Sequence, residues 1–281
     1  MDEGLWSLLP DKHAQLLKAL PEAQLEELRI AAERPLTVRM NGKEQCFGPK
    51  VTQRELEELL QRACRQSVYA HTETLRQGYL TLEGGHRLGI CGFGVVQEGV
   101  VRHLHKPSSV VIRIAKEVLG CAEDAVRQCG ESTLILGPPG SGKTTLLRDF
   151  VRLLSDQYGQ RVGLVDERGE LSASTDGVPQ LQVGWRTDVL LNIPKADAIF
   201  MLLRTMNPQW IAVDEITAPA DLEALVQASY CGVKLLGSAH GESFEDLSRR
   251  PLYRKLMEAA VFSNILLIRQ DRTFEIKEVR F

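Results

Sequence analysis

The 281 residues carry 34 Lys and Arg against 37 Asp and Glu, a formal net charge of −3, and 43% of them are hydrophobic. A balance so near neutral leaves no general electrostatic footprint for nucleic acid or an anionic membrane surface. No apolar run reaches the about 18–20 residues of a spanning helix, and Met1-Asp-Glu-Gly-Leu-Trp6 lacks the basic region of a secretory leader, so a cytoplasmic chain with no direct membrane insertion is expected.

The six cysteines, at 46, 64, 91, 121, 129 and 231, form no C-x-x-C pair and no zinc spacing, which suits reduced thiols. In Leu5–Leu20 the residues Leu16, Leu17 and Leu20, and in Glu22–Ala32 the residues Leu25, Leu28 and Ile30, fall at helical spacing. Pro21 between them suits the first turn of the second helix. Pro35–Met40 alternates as a strand does, and Asn41-Gly42 is a hairpin turn into Lys43–Phe47. Thr52 and Glu55 are spaced as a capping box for a helix carrying Leu56, Leu59 and Leu60. A short helix around Tyr69–Gln77 precedes a hairpin of Gly78–Glu83 and His86–Val96, turned at Gly84-Gly85, and Ser108–Ala115 reads as a last strand. His103 and His105 lack a third metal ligand nearby, so solvated histidines outweigh a metal site. Residues 1–118 are therefore expected to form a small α+β domain with an antiparallel sheet.

After a linker helix at Cys121–Cys129 the pattern becomes alternating strands and helices, which argues for an α/β domain with a mainly parallel sheet over residues 119–281. The strands expected are Ser132–Leu136, Arg161–Val165, Trp210–Val213, Val233–Ser238 and Ile265–Arg269, with Thr273–Val279 as a possible edge. Helices are expected over Lys143–Gln157, Lys195–Thr205, Pro219–Ser229 and Pro251–Ala260. In such a sheet the ligand lies at the carboxyl ends of the strands.

The stretch Gly137-Pro138-Pro139-Gly140-Ser141-Gly142-Lys143-Thr144 stands between the first of these strands and its helix, the context a phosphate-binding P-loop requires. Its amides, from Gly137 to Thr145, form a nest for the phosphates of ATP. Lys143 reaches the β- and γ-phosphates, and the Thr144 hydroxyl is a ligand for Mg²⁺. Trp210–Val213 emerges into Asp214-Glu215. Asp214 is expected to hold the Mg²⁺ shell and Glu215 to orient and deprotonate the attacking water. A second acidic cluster, Asp166-Glu167-Arg168-Gly169-Glu170, follows the next strand. Either one of Asp166, Glu167 or Glu170 joins the Mg²⁺ or water network, or the cluster is a charged surface turn. His240 is placed to hydrogen-bond the γ-phosphate, or to be a structural histidine satisfied by a carbonyl. Arg113, Arg168, Arg186 and Arg204 are candidates for a guanidinium that stabilises transferring phosphate from a neighbouring subunit.

Leu202–Ile216, Asp221–Ala228 and Cys231–Gly241 together resemble the secretion ATPases of type II and type IV systems. Those enzymes share a Walker A loop, an acidic Asp box, a Walker B strand with a catalytic Glu, and a His box. Here the matching elements are Gly137–Thr144, Asp166–Glu170, Trp210–Glu215 and His240. The blocks Arg76–Gly92, Ser108–Ile114, Val165–Arg168, Gly177–Gln180 and Arg186–Asp188 resemble, more closely, the stage III sporulation protein AA family of endospore-forming bacteria.

The resemblance implies a RecA-like ATPase domain behind an N-terminal domain, assembled as a hexameric homo-oligomer. It implies a motor in the mother-cell cytoplasm at the base of the channel to the forespore, with that channel's membrane proteins as partners. By that resemblance Glu215, Lys143, Glu167 and His240 are the catalytic candidates. The sequence departs from the secretion ATPases at Asp214-Glu215, where Gly-Glu is usual, at Thr217-Ala218, where Arg-Asp is usual, and in the order Asp-Glu-Arg of the Asp box. Three other readings compete. A nucleic-acid translocase would show a basic pore, a nucleotide-gated scaffold would not need Asp214-Glu215, and a small-molecule kinase would carry an arginine-rich lid.

Overall fold

The computed structural model describes residues 3–21, 24–65, 78–97, 100–175 and 177–279, so the helix expected around Tyr69–Gln77 lies outside the described residues. The chain divides into two units, Met1–Lys116 with Ala173–Leu181, and Glu117–Ser172 with Gln182–Phe281.

The first unit is built on six described strands: β1 (Leu25–Ala31), β2 (Arg34–Met40), β3 (Lys43–Val51), β4 (Tyr79–Thr81), β5 (Arg87–Gln97) and β6 (Val100–Arg113). They pair antiparallel in the order β3-β2-β1-β6-β5-β4. The helices α1 (Glu3–Leu8), α2 (Asp11–Leu17) and α3 (Gln53–Arg65) belong to the same unit. Their buried Leu5, Leu8, Leu17, Leu56 and Leu59 join Leu28, Ile30, Val38, Val110 and Ile112 of the sheet in one core. At the β2–β3 turn Asn41 and Gly42 both take positive φ, 50° and 73°, the geometry that matches a hairpin's twist. The capping box forms as read, with Thr52 N–H donating to Glu55 Oε2 at 2.8 Å and Glu55 N–H to Thr52 Oγ1 at 3.2 Å.

Three expectations are corrected in this unit. Residues 22–32, expected as a helix, contain strand β1. A bulge between Leu25 and Glu27 puts an extra residue into the strand, so Leu25, Leu28 and Ile30 are all buried although their spacing is three and then two. That spacing imitates a helical period. The single helix expected over Leu5–Leu20 is divided at Pro10, whose ψ of 138° is extended, into α1 and α2. The segment Ala173–Leu181, assigned by the sequence to the second domain, belongs with the first unit, where Gly84 N–H donates to Gln180 Oε1 at 3.0 Å.

The second unit is a seven-stranded sheet among the described residues. Its strands are β7 (Thr133–Gly137), β8 (Val162–Asp166), β9 (Thr187–Leu191), β10 (Trp210–Val213), β11 (Lys234–His240), β12 (Asn264–Ile268) and β13 (Phe274–Glu278), in the order β13-β12-β7-β11-β10-β8-β9. All pairs are parallel except β12 with β13, the antiparallel edge. Six described helices accompany it: α4 (Glu123–Gln128), α5 (Lys143–Asp156), α6 (Lys195–Thr205), α7 (Pro219–Tyr230), α8 (Phe244–Arg249) and α9 (Pro251–Glu258).

β7, β8, β10 and β12 are buried along their whole length, which is why they read as continuous apolar runs. Alternate residues serve opposite faces. Ile135, Leu164, Trp210, Ala212 and Leu266 pack with the α5 side chains Leu147, Phe150 and Val151. Leu134, Leu136, Val165, Ile211 and Val213 pack with Leu202 of α6, Leu225 of α7 and Leu256 of α9. Strand β9 and helix α8 are not among the expected elements. The first is a half-buried edge strand without alternation, and the second is six residues long, capped by the Ser243 hydroxyl, which accepts from Asp246 N–H at 3.1 Å.

Candidate functional site

Strand register assembles the site. His240 at the end of β11 lies opposite Gly137 at the end of β7, and Val213 of β10 lies opposite both Gly237 of β11 and Val165 of β8. The stretches 137–144, 214–215, 166–170 and 240 therefore leave the sheet along one edge. The loop departs β7 through a glycine because a Cβ at Gly137 would lie 2.6 Å from Ile268 Cγ2 and 2.7 Å from Ile268 O. Gly140 and Gly142 then take φ of 76° and 97°, and Gly142 caps α5, so Lys143 begins the helix that leads away.

Side chains from four stretches meet there. Lys143, 5% exposed, donates from Nζ to Pro138 O at 2.9 Å and lies 3.1 Å from His240 Nδ1. Burial pushes the Lys143 ammonium below the ordinary lysine value, and the Asp214 and Glu215 charges oppose that shift. With Nδ1 accepting from Lys143, the other imidazole nitrogen, Nε2–H, donates to Glu215 Oε1 at 2.9 Å. The second Glu215 oxygen accepts from Arg168 Nη1 at 2.8 Å. Thr144 Oγ1 donates to Asp214 Oδ2 at 2.9 Å, and the Ser238 hydroxyl donates to Asp214 Oδ1. Glu215 N–H is shared between Ser238 Oγ at 2.9 Å and Asp214 Oδ1 at 3.1 Å. Glu215 holds φ of 50°, a left-handed conformation that side chains other than glycine seldom adopt.

The acidic loop divides its labour. Asp166, 2% exposed, is consumed by its own turn, where it accepts from Glu170 N–H, Leu171 N–H, Ser172 N–H and Ser172 Oγ–H. Glu167 pairs with the Lys195 ammonium at the start of α6. A cavity of about 20 Å³, room for about one water, is lined by Glu167, Glu170, Lys195, Asp214 and Glu215. Of the four candidate arginines, Arg168 alone reaches this network. Arg113 faces Glu27 at 3.9 Å, Arg186 lies over the Trp185 ring and donates to Gly159 O, and Arg204 donates to Phe200 O.

Every residue named from the sequence as catalytic or metal-holding, Lys143, Thr144, Glu167, Asp214, Glu215 and His240, lies in or beside this constellation. Two members were not singled out. Ser238 stands two residues before His240 on β11 and so shares its face, a period-two signal that could have found it. Lys195 had no local signal, because only the fold brings it to Glu167.

The residues present fit a nucleotide with Mg²⁺. The loop turns through Gly140 and Gly142 at positive φ, Lys143 is desolvated but charge-supported, and the Thr144–Asp214 pair presents oxygens suited to a hard cation. Among the described residues no cluster of three or more His, Cys, Asp or Glu forms a metal cage, and a P-loop Mg²⁺ takes few protein ligands.

The architecture is the RecA-like α/β fold of the secretion ATPases, with an N-terminal domain before it. Solved structures sharing it include the pilus retraction motor PilT with bound ADP (TM-score 0.65, 16% identical, covering 95% of this chain and 83% of that one). The Legionella pneumophila ATPase DotB is another (TM-score 0.60, 14% identical, covering 95% and 79%). The chain belongs to the family described as "Sporulation stage III, protein AA", whose model matches residues 6–279. It is 38% identical over 270 residues to stage III sporulation protein AA of Bacillus subtilis (strain 168), covering 92% of this chain and 88% of that protein.

Proposed function

We propose that this chain is a Mg²⁺-dependent ATPase of a sporulation-associated, secretion-like channel. One observation carries the reading. Glu215, held by His240 on one oxygen and Arg168 on the other, borders a cavity of about 20 Å³ beside Asp214, room for about one water.

The loop amides from Gly137 to Thr145 bind the phosphates, and Lys143 exchanges Pro138 O and His240 for phosphate oxygens. Thr144 and Asp214 would hold Mg²⁺, which would supply positive charge against the phosphate oxygens. Glu215 orients a water and takes its proton. His240, which touches both Lys143 and Glu215, ties the occupancy of the phosphate site to the position of the base. Glu167, already paired with Lys195, shapes the acidic wall of the water cavity.

The membership in a sporulation family and the fold shared with PilT and DotB support a larger role. In that role residues 119–281 hydrolyse ATP at the subunit interfaces of a homo-oligomeric ring, a hexamer, and loss of γ-phosphate moves residues 1–118. The ring works in the mother-cell cytoplasm against membrane proteins of the channel. No described helix is long and apolar enough to cross a membrane.

Phosphate release and nucleotide binding, measured on the full chain with Mg²⁺, test the site. Lys143→Ala abolishes binding. Glu215→Gln keeps ATP bound and loses about 10²–10⁴-fold in turnover, the range of general-base catalysis. Equal loss of binding in both variants would remove Glu215 from the role of base. Turnover that rises with added DNA would favour a nucleic-acid translocase instead.

A further inference from the structure

The water-sized cavity beside Glu215 has a buried cation in its wall. Lys195 is 7% exposed and is the first residue of α6. Helix chemistry does not favour an ammonium there, because burial strips its water and the first turn is the positive end of the macrodipole. A lysine in that place needs a reason outside its own helix.

The sheet supplies it. Strands β8 and β9 pair with Asp166 opposite Leu191, so the turn leaving β9 stands beside the acidic loop leaving β8. That turn is three residues long. Asn192 takes φ of 55°, a left-handed conformation asparagine tolerates, and Pro194, with ψ of 137°, caps α6. Lys195 follows at once, and its Nζ donates to Glu167 Oε2.

An ammonium carries three donors, and among the described residues the bond to Glu167 is the one hydrogen bond that Lys195 makes. Asp166, Glu170, Asp214 and Glu215 line the same cavity, and its other cation, Arg168, is exposed. Lys195 is therefore the buried positive charge among these carboxylates. The pair occupies Oε2 of Glu167 and leaves Oε1 for the cavity.

We propose that Lys195 is a positioning residue for hydrolysis. By holding Oε2 it keeps Glu167 at the cavity wall, where Oε1 accepts a hydrogen bond from the water that Glu215 deprotonates. This rests on the proposed reading of Glu215 as base and adds to it a residue from outside both acidic stretches. One carboxylate then takes a proton of the water while the other fixes its orientation. Without the ammonium, the charges of Asp214 and Glu215 repel Glu167, and its side chain, already 37% exposed, turns to solvent.

Turnover, ATP affinity by calorimetry and urea midpoint, measured on the full chain with Mg²⁺, test the role. Lys195→Met keeps the length of the side chain and removes its charge. Replacing a buried ammonium by an apolar side chain of similar volume is close to neutral for folding, so the urea midpoint stays or rises. The expected fall in kcat is about tenfold to a hundredfold, the scale of a misplaced reacting group, with the Kd for ATP unchanged. Glu167→Gln lowers kcat as well. The double variant Lys195→Met with Glu167→Gln is no slower than the slower single variant, because both act through one carboxylate.

Unchanged kcat in Lys195→Met, a Kd for ATP weakened in step with kcat, a lowered urea midpoint, or single effects that multiply in the double variant would overturn the positioning role. None of these outcomes touches Glu215, whose own variant tests the base. Absence of turnover in the wild-type chain would overturn hydrolysis itself, and the role of Lys195 with it.

Discussion

Ser238 shows how much one buried hydroxyl can carry. It donates to Asp214 Oδ1 and accepts from Glu215 N–H, so a single side chain holds both carboxylate residues at the end of β10. Ser238→Ala removes one of the two partners of the Glu215 amide and one of those of Asp214 Oδ1, which keep only each other at 3.1 Å. The expected cost is about 0.5–1.5 kcal/mol, read as a fall in the denaturation midpoint at unchanged m-value. Because Glu215 sits at φ of 50° and depends on this bond for its backbone position, turnover should fall further than ATP affinity. Loss of both in equal proportion would show that Ser238 serves the phosphate loop and not the base. Arg168 is a different case, since its side chain is 63% exposed and its ion pair with Glu215 is worth little as stability.

Among the elements, α5 is the one on which the second unit turns. It starts at Lys143 and packs into the core, where Phe150 lies 6.3 Å from the Trp210 ring. Midway along it Asp149, 1% exposed, accepts from Ala122 N–H and pairs with Arg152 at 2.7 Å. Beside it Arg148, 7% exposed, is held below the ordinary guanidinium value by burial, against which Glu117 and Asp149 act. Asp149→Ala takes the carboxylate partner from Arg152, leaves Ala122 N–H unpaired, and removes one of the charges that support buried Arg148, and the expected loss is about 3–5 kcal/mol, measurable as a lowered urea midpoint. A loss below about 1 kcal/mol, the worth of a surface pair, would mean that solvent reaches these arginines.

The hairpins and the capping box of the first unit were legible because each rests on residues a few positions apart, as Asn41-Gly42 and Thr52 with Glu55 do. Strand β1 was not, since its bulge gave buried residues the spacing of a helix.

At the scale of the whole chain there are separate cores, one around Leu28, Val38 and Ile112 and two on either face of the parallel sheet. Each unit thus buries its own apolar surface, and differential scanning calorimetry should resolve two transitions. ATP with Mg²⁺ raises the transition of the second unit by mass action and leaves the first where it was. A single transition that moves as a whole with nucleotide would show instead that the units unfold together.

The sequence by itself determined the glycine-rich loop between β7 and α5, the alternation of apolar strands and helices after residue 119, and the family. These rest on local spacing, on strands buried over their full length, and on blocks of identity that need no third dimension. Tertiary structure decided what the acidic residues do. Asp166 and Asp214 each follow a buried strand, yet Asp166 is spent on its own turn while Asp214 meets Thr144 across 70 residues. Lys143 meets His240 across 97 residues, because β11 lies beside β7 in the sheet. Strand order and register set those meetings, and both arise from packing two helical layers on one sheet, a property of no single stretch of the chain.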